Sequence, residues 1–365
     1  MKTILSRILT LDTGKLYYRF SNAGYKEWFM PDQNMRIAMN LYQPSGRNGK
    51  ILKVLFPCLH KVPLLQKLIH ANTLCCSLNI RLKKLLEQLF DNTDLEFAIF
   101  CGTPCVHQKI TIQIFKGKQI LGYCKITDNE NISLLFLKEA KILKQLEEHN
   151  IKGIPHCIHC GKFDDDLYLF VQSTVKTTRS KVLHEWNILH ELFLEEVRCK
   201  TMQHVLFEQS DYCKNLLNFK EHLNWLPQSI DKKIIEQTID WIILERSGKI
   251  VDYSICHADF TPWNMFVEGG CLFVFDWEYA QLTYPPSLDK YHFLTQTALY
   301  VKHWKSSQMI EYIQSSDGIW INHETYVLYI VDEMSRFTLR EGKKVTGDIT
   351  RDFEFWTKIL EYLRS

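Results

Sequence analysis

The sequence predicts an α+β protein in which a strand-rich, mostly antiparallel section precedes a mainly helical one. Three observations carry this. From about Leu95, apolar residues alternate or run in short β-branched and aromatic stretches, as strands do. After Gln172 the apolar period becomes helical. The composition, 46% hydrophobic and 24% charged, is that of a chain that buries a core, which excludes a mostly disordered protein. At roughly 150 residues per domain, 365 residues make about two domains. A formal charge of +2 does not point to nucleic acid, and none is expected as a partner.

Taken in order, Met1 to Leu11 is an apolar patch broken by Ser6 and Arg7. It lacks the continuous apolar region and small-residue cleavage site of a secretory signal. No run of eighteen apolar residues occurs, so no transmembrane helix is expected. Between Asp32 and Glu87 there is no acidic residue, while Arg36, Arg47, Lys50, Lys53, Lys61, Lys67, Arg81, Lys83 and Lys84 all fall there. Leu64, Leu65, Leu68 and Ile69, then Leu78, Ile80, Leu82, Leu85 and Leu86, recur at helical spacing in the same stretch. Two readings stay open. One, which the pattern favours, is a helix pair packing on the main domain with solvated cations. The other is peripheral docking on an anionic membrane or anionic partner.

Residues 95–101, 109–115 and 119–126 read as three strands, the last two joined by a turn at Lys116-Gly117-Lys118. Ser133 to His149 reads as a helix ended by Gly153-Ile-Pro155, and residues 167–171 as a further short strand. Lys181 to Lys200, Asp231 to Glu245 and several segments beyond Leu288 carry helix-period apolar residues, ending in Phe353 to Leu363. The twelve cysteines are scattered and read as reduced thiols. Cys157-Ile-His-Cys160 has half of a zinc spacing, but no second pair accompanies it, so no structural metal is expected.

The chemistry is concentrated in one segment. His257-Ala-Asp259-Phe-Thr-Pro-Trp-Asn264 precedes two short apolar stretches, the second ending at Asp276-Trp-Glu. Phosphoryl transfer needs a carboxylate near the acceptor hydroxyl and oxygen ligands for a cation that also holds the phosphates. Asp259 suits the first task, and Asn264 and Asp276 supply hard oxygens for the second.

These residues resemble the catalytic loop and metal-binding segment of the aminoglycoside phosphotransferase/choline kinase family, which has a bilobal, protein-kinase-like fold. The resemblance extends over roughly Leu95 to Tyr300. Strand, strand, strand, helix, strand is the order of its N-lobe. The resemblance makes Lys125 the phosphate-contacting strand lysine and Glu139 the helix glutamate that holds it, with Lys109 as runner-up. Phe100-Cys-Gly102-Thr103-Pro-Cys-Val-His107 is similar to the nucleotide-covering loop, with Cys105 where a second glycine is expected. Ala258 replaces the usual loop glycine. Backbone groups of Val171 to Ser173 would meet the adenine. The whole pattern is most similar to bacterial phosphotransferase-like proteins that accompany surface-polysaccharide genes.

The resemblance implies three parts: a basic N-terminal extension over 1–90 packing on the kinase core, an N-lobe over 91–173 that binds nucleotide, and a helical C-lobe over 174–365. It implies ATP and Mg²⁺ as cofactors, bound in the cleft, and a cytoplasmic kinase acting on the hydroxyl of a small molecule such as an aminoglycoside, amino alcohol or sugar. Two rivals stay open: a nucleotide-binding regulatory or assembly module without turnover, and nucleotidyl transfer by the same site. His257 is expected to anchor the loop against the strand of Asp276. Asp289 is expected in a structural salt bridge. Trp263 and Trp277 have two readings, an aromatic wall for the acceptor or core packing. Glu185, Glu191, Glu195 and Glu196 have two readings, contacts to a cationic acceptor or, which is favoured, the solvated face of one helix.

Overall fold

The computed structural model describes residues 2–22, 25–44, 46–105, 107–164, 166–342 and 348–365; Met1 and Val106 of the segments above lie outside the described residues. The chain forms two compact units. The first comprises residues 1–147, 153–181 and 268–273, and the second residues 148–152, 182–267 and 274–365.

The first unit runs α1 (Lys2–Ile8), β1 (Leu9–Ser21), β2 (Glu27–Pro31), α2 (Met35–Ala38), α3 (Arg47–Leu59), α4 (Pro63–Leu68), β3 (Asn72–Leu78) and α5 (Ile80–Leu89). It continues through β4 (Glu96–Phe100), β5 (Ile110–Lys116), β6 (Gln119–Thr127), α6 (Glu130–Glu148), β7 (Cys157–Asp164) and β8 (Leu167–Ser173). Its strands make one eight-stranded sheet in the order β3-β1-β2-β4-β5-β6-β8-β7, with every neighbouring pair antiparallel. One apolar layer, which includes Ile99, Ile112, Ile114, Cys124 and Val171, packs with Leu82 and Leu86 of α5. A second layer gathers Phe20, Trp28, Phe56 and Phe115.

The N-terminal section differs from its expectation. Residues 9–78 supply three strands to the same sheet, joined to the rest by Trp28 opposite Phe100 and Phe29 opposite Ile99. Helices are present as well, but Leu78, which continues the helical spacing in sequence, closes β3. The strand β1 is interrupted by a bulge between Leu11 and Lys15, where Asp12 and Gly14 take positive φ. This bulge and the exposed outer residues hide its alternation. Cys157 and Cys160 lie inside β7, an eighth strand absent from the sequence reading, and burial pushes their thiols up to about 12 and about 11.

From residue 182 the chain runs α7 (Ile188–Thr201), β9 (Gln203–Leu206), α8 (Asp211–Glu221), α9 (Lys232–Arg246), β10 (Ile250–Cys256), β11 (Met265–Glu268), β12 (Cys271–Val274) and β13 (Gln281–Tyr284). Then follow α10 (Leu288–Gln296), α11 (Ser306–Gln314), α12 (His323–Glu341) and α13 (Asp348–Arg364). The short strands form a β13-β10-β9 sheet and a β11-β12 hairpin. The core is rich in aromatics, with Tyr212, Tyr253, Tyr284, Tyr326, Tyr329 and Trp356 fully buried. The helix α12 is buried along much of its length, from Tyr326 to Thr338. Among the described residues no helix is long and apolar enough to cross a membrane.

Candidate active site

In the first unit Lys125 stands in the middle of β6, opposite Thr111 of β5 and Phe170 of β8. Its Nζ donates to Glu139 Oε2 on α6 at 2.7 Å and lies 5.2 Å from the Phe170 ring centroid. Both charged side chains are buried. A buried ion pair of this kind places an ammonium group at one defined point, which an exposed lysine cannot do. Lys109 lies in the loop before β5.

The loop between β4 and β5 holds Gly102 and Thr103. Gly102 has φ of 77°, and a Cβ there would sit 2.3 Å from the Lys109 carbonyl oxygen. Gln108 ties the loop to its start by donating from Nε2 to the Cys101 carbonyl at 3.0 Å. The lone glycine is therefore required by the closure of the loop itself. Thr103 and Cys105 are exposed on it.

Val171 lies within the sheet, opposite Cys124 on β6 and His159 on β7. The Ser173 N–H donates to His156 O at 3.0 Å, and its hydroxyl accepts the His156 N–H at 2.8 Å. The amide of Ser173 is thus committed to the chain entering β7.

In the second unit β10 delivers the chain into the loop His257-Ala258-Asp259, and a single 3-10 turn, Pro262–Asn264, leads into β11. Asn264 Nδ2 donates to Asp259 Oδ2 at 2.7 Å and to the Asp259 carbonyl at 3.0 Å. Asp259 keeps 30% side-chain exposure, so an incoming hydroxyl can reach it. His257 is buried and kept neutral, its pKa lowered by burial against the raising fields of Asp289 and Asp259. Its Nε2–H donates to Phe275 O at 3.0 Å, and its Nδ1 accepts the Asp259 N–H at 3.2 Å. One ring thereby spans the loop of Asp259 and the residue before Asp276.

Asp276 takes a left-handed conformation (φ 69°), tolerated by aspartate, and turns the chain out of β12. Trp277 locks that turn by donating from Nε1 to Val274 O at 3.0 Å. Trp277 is core, its ring tilted at 57° to that of His257 with centroids 4.5 Å apart, whereas Trp263 is 39% exposed and meets Tyr300 edge-on.

Two groups support the loop from below. Asp289, at the start of α10, accepts the His257 N–H at 2.7 Å and the Ala258 N–H at 2.9 Å. It holds backbone amides rather than forming the expected salt bridge. Ala258 has φ of 61°, and its carbonyl accepts from Arg336 on α12. Glu191, Glu195 and Glu196 of α7 pair with Lys290, Arg198 and Lys200; Glu185 precedes that helix.

The sequence reading missed His292 on α10. Its Nε2 lies 3.3 Å from Asp259 Oδ1 and its Nδ1 lies 3.3 Å from Glu333 Oε2. Burial lowers the imidazole pKa, but the Glu333 charge and the bonds to Asp259 and Glu333 outweigh it and raise the group to about 9. Glu333 in turn is held by Arg336 and by Gln296 Nε2 at 2.8 Å. No local pattern in the sequence marks this chain of charges.

The donor set suits Mg²⁺, which prefers hard oxygens. Asn264 uses its amide nitrogen on Asp259, which leaves Oδ1 as the atom for a cation. Asp276 and Glu278 each offer a carboxylate oxygen within 4.8 Å of the other.

No family model matches the chain, and no curated protein matches it. Solved structures do. A thermostable mutant of aminoglycoside phosphotransferase APH(4)-Ia is similar over 77% of this chain and 98% of its own, with 12% identity and a TM-score of 0.50. Choline kinase LicA from Streptococcus pneumoniae is similar over 77% and 99%, with 14% identity and a TM-score of 0.46. A putative fructosamine-3-kinase from Haemophilus somnus is similar over 76% and 96%, with 12% identity and a TM-score of 0.46. The chain shares the kinase-like α+β fold of that aminoglycoside phosphotransferase.

Proposed function

We propose that this chain is an ATP-dependent phosphotransferase that moves a γ-phosphoryl group to the hydroxyl of a small molecule. The observation that carries the reading is the loop in which Asn264 holds Asp259 at 2.7 Å while leaving its own carbonyl oxygen for a cation. In the transfer, the acceptor oxygen bonds to phosphorus and the bond to the ADP oxygen breaks, while Asp259 accepts the hydroxyl proton. Lys125, held by Glu139, contacts the α- and β-phosphates, and the Gly102-Thr103 loop covers them. Mg²⁺, when bound with the nucleotide, neutralises charge on the phosphate oxygens; Asn264 and Asp276 would hold it. Nucleotide binding falls to residues 91–173 and acceptor chemistry to residues 174–365. The fold shared with an aminoglycoside phosphotransferase supports a small-molecule acceptor.

The test joins binding to turnover. At 100 times its dissociation constant, MgATP should stabilise the protein by about 2.7 kcal/mol. A screen of hydroxyl-bearing metabolites should release ADP with one class of acceptor, and Asp259→Asn should keep MgATP binding while losing that release. Asp276→Ala should lose the metal-dependent shift itself. Release of AMP or pyrophosphate would mean nucleotidyl transfer, and binding without turnover on any acceptor would leave a regulatory module.

A further inference from the structure

The helices α3 and α4 carry an apolar face that points away from the core. On α3 only Phe56 is buried, packed on Tyr18 and Phe20 at ring distances of 6.0 and 5.3 Å. Leu52 of α3 and Leu65 of α4 pack on the same layer. Ile51, Val54 and Leu55 stand on the opposite side of α3, at the i, i+3, i+4 spacing that normally marks a core-facing stripe. They are 49%, 73% and 45% exposed. On α4, Leu64 and Leu68 are one turn apart and 78% and 76% exposed. Each helix is therefore apolar on two sides and seated by only one.

The charge that these two helices and their link carry has a single sign. Arg47, Lys50, Lys61 and Lys67 are all exposed on these two helices and the short link between them, and no carboxylate occurs from residue 33 to residue 86. Asp32, the acid nearest in sequence on that side, is taken by His60 at 3.1 Å and Lys61 at 3.3 Å.

We propose that α3 and α4 form a docking surface for an anionic lipid bilayer. An interfacial helix sinks its apolar side chains to the boundary of the acyl chains while flanking lysines and arginines reach the headgroup phosphates. The exposed leucines and valine with a one-sign cationic surround present both halves of that arrangement. A single lysine or arginine near such a surface strengthens partitioning about fivefold, so four in contact make binding steeply dependent on salt and on lipid charge. Anchoring by Phe56, Leu52 and Leu65 keeps the face formed before it meets a membrane, so binding requires no refolding.

The test is cosedimentation of the full chain with vesicles of phosphatidylcholine alone and of phosphatidylcholine mixed with phosphatidylserine, at low and high salt. The mixed vesicles should bind at least about tenfold more protein, and high salt should remove the difference. Val54→Asp/Leu64→Asp/Leu68→Asp changes three exposed side chains and should abolish binding with circular dichroism and melting unchanged. Lys50→Glu/Lys67→Glu should weaken it about tenfold or more. Equal recovery on both vesicle types overturns the proposal, and so does undiminished binding of the triple variant. A concentration-dependent dimer that the triple variant abolishes, without any vesicle binding, would assign the face to a second copy of this chain instead. Should the triple variant fold poorly, the salt and lipid dependence of the unmodified chain decides alone.

Discussion

His292 is the residue through which the buried charges of the second unit reach Asp259. With a pKa raised to about 9, it is an imidazolium at neutral pH, donating toward Asp259 on one side and Glu333 on the other. The groups that face it are Asp259, Glu333, Tyr329 and Arg336. A folded pKa above the ordinary 6.5 contributes stability that is complete below about 6.5 and is lost as pH rises through about 9. His292→Gln should therefore destabilise the protein on the order of 1–3 kcal/mol near neutrality, and the gap from the unmodified chain should close toward about pH 10. Melting curves measured across that range check it; a gap that does not change with pH would mean that the imidazolium is not its source. His292 also shows the limit of reading residues from sequence. Asp259, Asn264 and Asp276 stand close together with their chemistry in view. Their support comes from α10 and α12, whose contribution depends on packing that no local spacing encodes.

The elements divide in the same way. The strands β4, β5 and β8 were legible because both faces are largely buried and the apolar residues run almost unbroken. In β1 a bulge shifts the register and much of the strand lies open, while at the end of β3 Leu78 carries a helical spacing across the strand end, so neither read as a strand. The glycine-poor loop between β4 and β5 was legible as a loop, but the duty of its glycine was not. Because a Cβ at position 102 would meet the Lys109 carbonyl at 2.3 Å with φ at 77°, the constraint is backbone closure. Gly102→Ala should cost about 1–3 kcal/mol in chemical denaturation and should also weaken MgATP binding, since the loop segment of Lys109 that leads into β5 must shift. A variant with unaltered stability would show that the loop accommodates the side chain by opening.

At the scale of the whole molecule, each unit closes its own core. The first is a sheet faced by two apolar layers, and the second is an aromatic helical core centred on α12. Chains with more than one such core commonly depart from a single two-state transition. The tryptophans make this measurable, because Trp28 lies in the first unit and the remaining eight, from Trp186 to Trp356, lie in the second. Fluorescence of a Trp28→Phe variant then follows the second unit only, while far-ultraviolet circular dichroism follows both. Trp28 is 4% exposed and stacks on Phe20 and Phe100 at 5.6 and 5.1 Å, so its replacement weakens the first unit on the order of 1–3 kcal/mol. In urea the variant's circular dichroism should begin to fall at lower denaturant than its fluorescence, and the separation should exceed that of the unmodified chain. Superimposable curves with one midpoint, in both proteins, would show instead that the two cores melt as one cooperative structure.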